Sequence, residues 1–170
     1  MVLKIRYYGD PLLRKKSECV GDVTEEIKKL AQDLLETMYA ENGIGLAAPQ
    51  VGVLKRLLAV DAGKERGKGY VLVNPTIKDL KGKVLMEEGC LSFPKIYGKI
   101  ERAAEATVCG MLVSSEETIE RPLKGLECRA ILHEIDHLDG ILFIDRMSKS
   151  HKIVIHGKLK KLLTQDHSPH

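Results

Sequence analysis

The pentad His133-Glu134-Ile135-Asp136-His137 constrains this chain more than any other stretch. On an α-helix, positions four apart lie one above the other, so both imidazoles leave one face at a spacing that can grip a single divalent metal. Glu134 sits beside them. A carboxylate there can take a proton from an activated water and later hand it to a leaving group, which is hydrolysis without a covalent enzyme intermediate. Two histidines do not make a tight site. A third protein ligand is required, and its origin decides what kind of enzyme results.

A length of 170 residues suits one domain that buries about 70% of its unfolded surface. The expectation is a single domain over residues 1–163, followed by a disordered tail over 164–170. The net charge of +3, on a chain that is 30% charged, gives no global argument for specific nucleic-acid recognition or an acidic membrane surface. Cys19, Cys90, Cys109 and Cys128 are scattered, without the paired spacing of a zinc knuckle or the density of a disulfide scaffold, which favours a reducing compartment. Charges interrupt every apolar run in the opening MVLKIRYYGDPLLRKK, and no stretch approaches the roughly 20 residues that span a bilayer. The expected location is cytoplasmic. Asparagine and glutamine are scarce beside Lys, Arg and Glu, a balance reported for proteins of hot environments.

Along the chain, Val2 to Arg6 reads as a short edge strand closed by a turn at Gly9-Asp10-Pro11. An amphipathic helix follows from Asp22 or Thr24, with Ile27, Leu30, Ala31, Leu34, Leu35 and Met38 recurring at three and four, and Asn42-Gly43 ending it. Gly43 to Gln50 is small and apolar, with glycines and a proline that deny it regular helix. It fits a tight core connection as well as a segment that lets a ligand approach the backbone, with Gln50 as its polar tip. Strands are predicted at Leu57–Val60, Tyr70–Val73, Thr76–Leu80, Val84–Met86, Ile96–Arg102, Thr107–Val113 and Thr118–Leu123, with a hairpin turn at Lys81-Gly82. Short links make the sheet mostly antiparallel. A second helix spans about Lys124 to Leu138, with Leu126, Ala130, His133 and His137 on one face. The last segment, Ser148 to Leu163, is basic, is anchored by Ile153, Ile155, Leu159, Leu162 and Leu163, and is interrupted by Gly157. The fold class is α+β: mostly antiparallel sheets packed around a central helix carrying HEIDH, plus an N-terminal amphipathic helix and a C-terminal helix.

The downstream sequence offers few candidates for the third ligand. One peptidase class continues HExxHxxGxxH, and Gly140 fits that pattern, but the last histidine position is Phe143. Another class takes a later glutamate, and none follows Glu134. His151, His156, His167 and His170 stay open, although they lie in a basic segment and a tail. Upstream, Cys90 follows a glycine at a strand end beside Glu87 and Glu88. Its thiolate would complete a Cys-His-His set with an open fourth position.

GIGLAAPQVG, EGCLS and HEIDHLDG, in this order, resemble the three signature segments of peptide deformylases, and the likeness extends from KIRYYGDPLLR to FIDRMS. The resemblance implies that Cys90, His133 and His137 hold the metal, that Glu134 is general base and acid, and that Gln50 with the backbone amide of Leu91 forms the oxyanion site. Gly45 would offer backbone hydrogen bonds to a peptide. Ile44, Leu126, Arg129 through its stem, Ala130 and His133 would line the methionine pocket, and Glu88 with Arg102 would pair beneath the cysteine. The implied cofactor is one divalent ion, Fe(II) in the cell, with Zn(II), Ni(II) or Co(II) able to replace it. The implied substrates are N-formylmethionyl peptides. The basic C-terminal segment is similar to one with which some relatives dock on the ribosome near the tunnel exit, and it reads equally as a solvated helix. Leu132 and Glu127 depart from the common pattern, where glutamine and an apolar residue stand. Two other readings remain: an HExxH endopeptidase, and a structural zinc module that binds ribosomes or RNA.

Overall fold

The computed structural model describes residues 1–165. Thr24 starts the first helix, its side-chain oxygen accepting from the Ile27 amide at 3.3 Å, while Glu25 and Glu26 meet the positive end of the helix dipole. This helix, α1 (Glu25–Ala40), buries Ala31, Leu34 and Met38. It ends as expected, with Asn42 in the left-handed region (φ 56°).

Seven strands follow. They are β1 (Gly45–Ala47), β2 (Leu57–Val60), β3 (Tyr70–Lys81), β4 (Val84–Cys90), β5 (Phe93–Arg102), β6 (Glu105–Leu112) and β7 (Thr118–Lys124). Five form one antiparallel sheet in the order β1-β2-β3-β6-β7, and β4 pairs only with β5 in a separate ribbon. The helix α2 (Gly125–Leu138) carries the HEIDH pentad, and α3 (Lys149–Thr164) closes the chain. The fold is α+β with mostly antiparallel sheets.

Strand periodicity explains why α2 is central. On β2, Leu57 and Ala59 pack with Leu34 and Met38 of α1, whereas Leu58 and Val60 pack with Ile131 and Leu138 of α2. This end of the sheet is buried on both faces. The opposite side of α2 carries Arg129, His133 and Asp136 toward the β4–β5 ribbon. A third cluster, built from Phe93, Ile100, Phe143, Ile155 and Leu162, joins that ribbon to α3. Each fully buried Leu, Ile or Phe contributes about 1.5–3 kcal/mol, enough for the helix to carry several buried charges on its other side.

Six expectations need correction. Val2 to Arg6 forms no strand; it is held by single backbone bonds such as Arg6 N to Gln50 O at 2.7 Å. Tyr70–Val73 and Thr76–Leu80 are one strand, with a register shift between Val73 and Thr76. Lys81-Gly82 makes no hairpin: Gly82 (φ 66°) turns the chain out of the sheet, Lys81 pairs with Glu105, and β4 pairs with β5. A turn signal fixes a bend but not the partner strand. Gly157 does not interrupt α3, because a glycine costs a helix only about 1 kcal/mol and the buried Ile155 and Leu162 hold it. Of the expected anchors there, Ile153 and Leu163 are exposed. The expected tail starts one residue inside α3, and residues 166–170 lie outside the described residues. No described helix is long and apolar enough to cross a membrane.

Candidate metal and catalytic site

Cys90 is the last residue of β4, where the ribbon slips register: Gly89 faces Tyr97, but Cys90 faces Phe93. The slip places Cys90 Sγ 3.3 Å from His137 Nε2 on α2. Ligand atoms of Cys90, His133 and His137 all lie within 4.8 Å of one another, and they are the one His/Cys/Asp/Glu group so placed among the described residues. Metal–sulfur and metal–nitrogen bonds of about 2.3 and 2.0 Å in a tetrahedron set donors about 3.5 Å apart, so the Cys90–His137 separation fits. His133 Nδ1 faces Glu88 Oε1 at 2.9 Å, which leaves Nε2 free to ligate. One thiolate and two imidazoles suit Fe(II), Zn(II), Ni(II) or Co(II).

Behind His133, Arg102 grips Glu88 with two bonds, Nε to Oε2 at 2.6 Å and Nη2 to Oε1 at 3.0 Å. Arg129 lines the cavity as expected of its stem, and its charged head has a second task. The guanidinium turns inward, donating to Glu88 Oε2 at 2.5 Å, Ile100 O at 3.0 Å and Val84 O at 2.7 Å.

Gln50 lies in the 3-10 turn Ala48–Val51 as a buried amide. Its Oε1 accepts from the Ala47 amide at 2.9 Å, so Nε2 is the donor end; it donates to Ser92 Oγ at 3.1 Å and lies 3.6 Å from Cys90 Sγ. Leu91 follows Cys90 in the turn between β4 and β5. Glu134 is buried, with Oε2 lacking a hydrogen-bond partner among the described residues. A Cβ on Gly45 would come within 2.6 Å of Glu134 Oε1, so only glycine lets β1 pass this close.

A cavity of about 610 Å³ opens over Cys90, Leu91, His133 and Glu134, while Gln50 and His137 lie behind its lining. Ile44, Gly45, Leu126, Arg129, Ala130, His133 and Glu134 all line it, and the apolar side chains of Ile44 and Leu126 remain exposed within it. The buried groups of the site shift one another's protonation. Burial opposes charge on His133, but the Cys90 thiolate and the Glu88 hydrogen bond outweigh it and hold the imidazole up at about 10. Burial likewise opposes charge on Glu88, and His133 and Arg102 hold its carboxyl down at about 2. His137 is pushed well below its ordinary value by burial and by neighbouring His133. Burial pushes Glu134 up to about 7, against the pull of His133 and Arg102. A divalent cation held there would compete with the proton on His133 and favour the Glu134 carboxylate.

Sequence reasoning passed over Ser92, Asp136 and Arg146. Ser92 orients the Gln50 amide, and Asp136 bonds both Arg102 and Arg146. The two departures are absorbed locally: Leu132 packs against the α2 core, and Glu127 accepts from Tyr70 Oη at 3.1 Å.

The family model described as polypeptide deformylase matches residues 2–153. The chain belongs to the polypeptide deformylase family. It is 45% identical over 161 residues to the peptide deformylase of Thermodesulfovibrio yellowstonii, covering 94% of this chain and 97% of that one. It is 49% identical over 147 residues to that of Halothermothrix orenii, covering 86% and 94%. Among solved structures, the peptide deformylase of Thermus thermophilus superposes with a TM-score of 0.89 at 39% identity, covering 98% of this chain and 100% of that chain. That of Legionella pneumophila gives 0.88 at 37%, covering 95% of each. The chain is thus a metal-dependent hydrolase of the deformylase family, which sets aside the endopeptidase and the structural zinc module.

Proposed function

We propose that this chain removes the formyl group from N-formylmethionyl peptides by hydrolysis, releasing formate, with Glu134 as the proton carrier. The observation that carries this reading is the buried Glu134 carboxylate, one oxygen unpartnered, on the wall of the cavity that also exposes Cys90 and His133. Cys90, His133 and His137 would hold one divalent ion, Fe(II) in the cell, with Zn(II), Ni(II) or Co(II) as substitutes. When bound, the ion supplies Lewis acidity that lowers the pKa of water and polarises the formyl carbonyl.

The rest falls to the protein. Glu134 accepts a proton from the attacking water and returns it to the methionyl nitrogen as the formyl C–N bond breaks. Negative charge developing on the formyl oxygen is met by a Gln50 Nε2–H and the Leu91 N–H. Ser92 takes one Gln50 hydrogen and Ala47 pins its Oε1, so the second hydrogen points to the Cys90 side of the site, where Sγ accepts it at 3.6 Å until the oxyanion develops. The methionine side chain fits the apolar wall of Ile44, Leu126 and Ala130 beside the Arg129 stem and His133. β1 is an edge strand of the sheet, so the backbone at Gly45 can pair with an extended peptide. The exposed lysines of α3, on a helix pinned by Ile155 and Leu162, support docking on the ribosome near the tunnel exit, and with it a cytoplasmic location.

Incubation of anaerobically prepared Fe(II) protein with formyl-Met-Ala-Ser is expected to yield formate and free amine in equal amounts, without internal cleavage. Internal cleavage, or no formate, would sink the reading. Cys90→Ala should lose the metal; unchanged metal affinity would mean the third ligand is wrong. Gln50→Leu removes one oxyanion donor and is expected to lower kcat by about 10²–10³-fold, with metal content unchanged.

A further inference from the structure

The buried charges behind the metal ligands do not stop at Glu88 and Arg102. Arg102 Nη1 also donates to Asp136 Oδ2 at 2.9 Å. Asp136 in turn receives a two-pronged bond from Arg146, Nε to Oδ2 at 2.6 Å and Nη2 to Oδ1 at 2.7 Å. We infer that Asp136 and Arg146 are positioning residues for the metal ligand His133, acting through the chain Arg146–Asp136–Arg102–Glu88–His133. This rests on the reading of Cys90, His133 and His137 as metal ligands.

The argument is one of satisfaction. Arg102 and Glu88 have almost no solvent access, so each guanidinium or carboxylate edge left unpaired is costly. Arg102 spends Nε and Nη2 on Glu88 and Nη1 on Asp136. Without Asp136 the guanidinium would be drawn toward another acceptor, and the tilt would pass through its bidentate grip to Glu88 and the His133 ring. The outer end is equally fixed. Asp145 accepts from the Leu142 amide at 2.9 Å and pairs with Arg14, while Phe143, Ile144 and Met147 are buried, so the turn Phe143–Arg146 presents Arg146 from a rigid base. Hydrogen-bonded charges in such a series polarise one another, and the ligand ring at its end is held harder than by Glu88 alone.

A purely architectural role, pinning the Phe143–Arg146 turn to α2, would change stability without changing the metal. The test therefore measures zinc loss from the holoprotein to excess chelator, the visible spectrum of the Co(II) form, kcat and KM, and melting temperature. Asp136→Asn replaces one acceptor oxygen with a donor facing an arginine; zinc affinity is expected to fall about 10–100-fold, with a shifted Co(II) spectrum and kcat lowered more than KM is raised. Arg146→Ala should show the same signs more weakly, and Arg146→Lys, which restores charge without the fork, should recover part of the loss. Parental zinc retention and an unchanged Co(II) spectrum in these variants, with only melting lowered, would overturn the inference. If Asp136→Asn fails to fold, Arg146→Ala decides alone by the same readouts, since its side chain lies at the surface. A parent that holds no more zinc than Cys90→Ala would instead refute the metal-site reading, and the inference with it.

Discussion

Glu134→Gln is expected to lower kcat for formyl-Met-Ala-Ser by about 10²–10⁴-fold, the range over which a positioned general acid–base acts, while bound metal stays at the parental level. The substitution keeps the size of the side chain, so the close passage of β1 at Gly45 is undisturbed. What it removes is the ability of the side chain to accept and carry a proton, in a carboxylate whose Oε2 no described protein group satisfies. A buried carboxylate without a full set of partners is a poor choice for stability, since desolvation works against its charge. Its presence is intelligible if a water and a scissile amide are the partners it serves. Kinetics and metal analysis on one sample check this. A glutamine variant that keeps a tenth or more of parental turnover would remove Glu134 from its role.

What could be read from the sequence was what is encoded locally. The spacing in HEIDH, the Thr24 cap and the three-and-four recurrence from Ile27 to Met38 are short-range patterns, and each survives in the fold. Partner choice is not local. Nothing near Lys81-Gly82 says that β3 runs on beside β6 while the next two strands fold away as a ribbon, yet that decision carries Cys90 to the histidines. The same limit hid Asp136 and Arg146. A carboxylate one residue before a ligand reads as a polar helix position until Arg102 and Arg146, from two distant segments, converge on it. Arg129 shows the converse: its helix position correctly implied the cavity wall, but not that Glu88 and two carbonyls would take its charged head. The choice of Cys90 over later histidines came from resemblance to a family, because spacing alone left both open.

Gly45→Ala separates folding from chemistry most sharply. The added methyl would sit 2.6 Å from Glu134 Oε1 and 2.9 Å from its Cγ, so one of the two must move. The strand cannot. Gly45 is in register with Val60, and its neighbours Leu46 and Ala47 are fully buried. The Glu134 side chain, whose Oε2 has no hydrogen bond among the described residues, is the part that gives way. Gly140 is the contrasting case: at φ 73°, a methyl would press on the backbone of Arg14 at 2.4 Å, and the cost would fall on folding. For Gly45→Ala the expected result is a melting temperature and metal content close to the parent's, with kcat reduced by about 10²-fold because a carboxylate displaced by about 1 Å no longer meets the proton it carries. A control without formyl chemistry, zinc retention against a chelator, should be unchanged, since no metal ligand is touched. Parental turnover in this variant would show that Glu134 has a second productive position, and the tight passage of β1 would then have no part in catalysis.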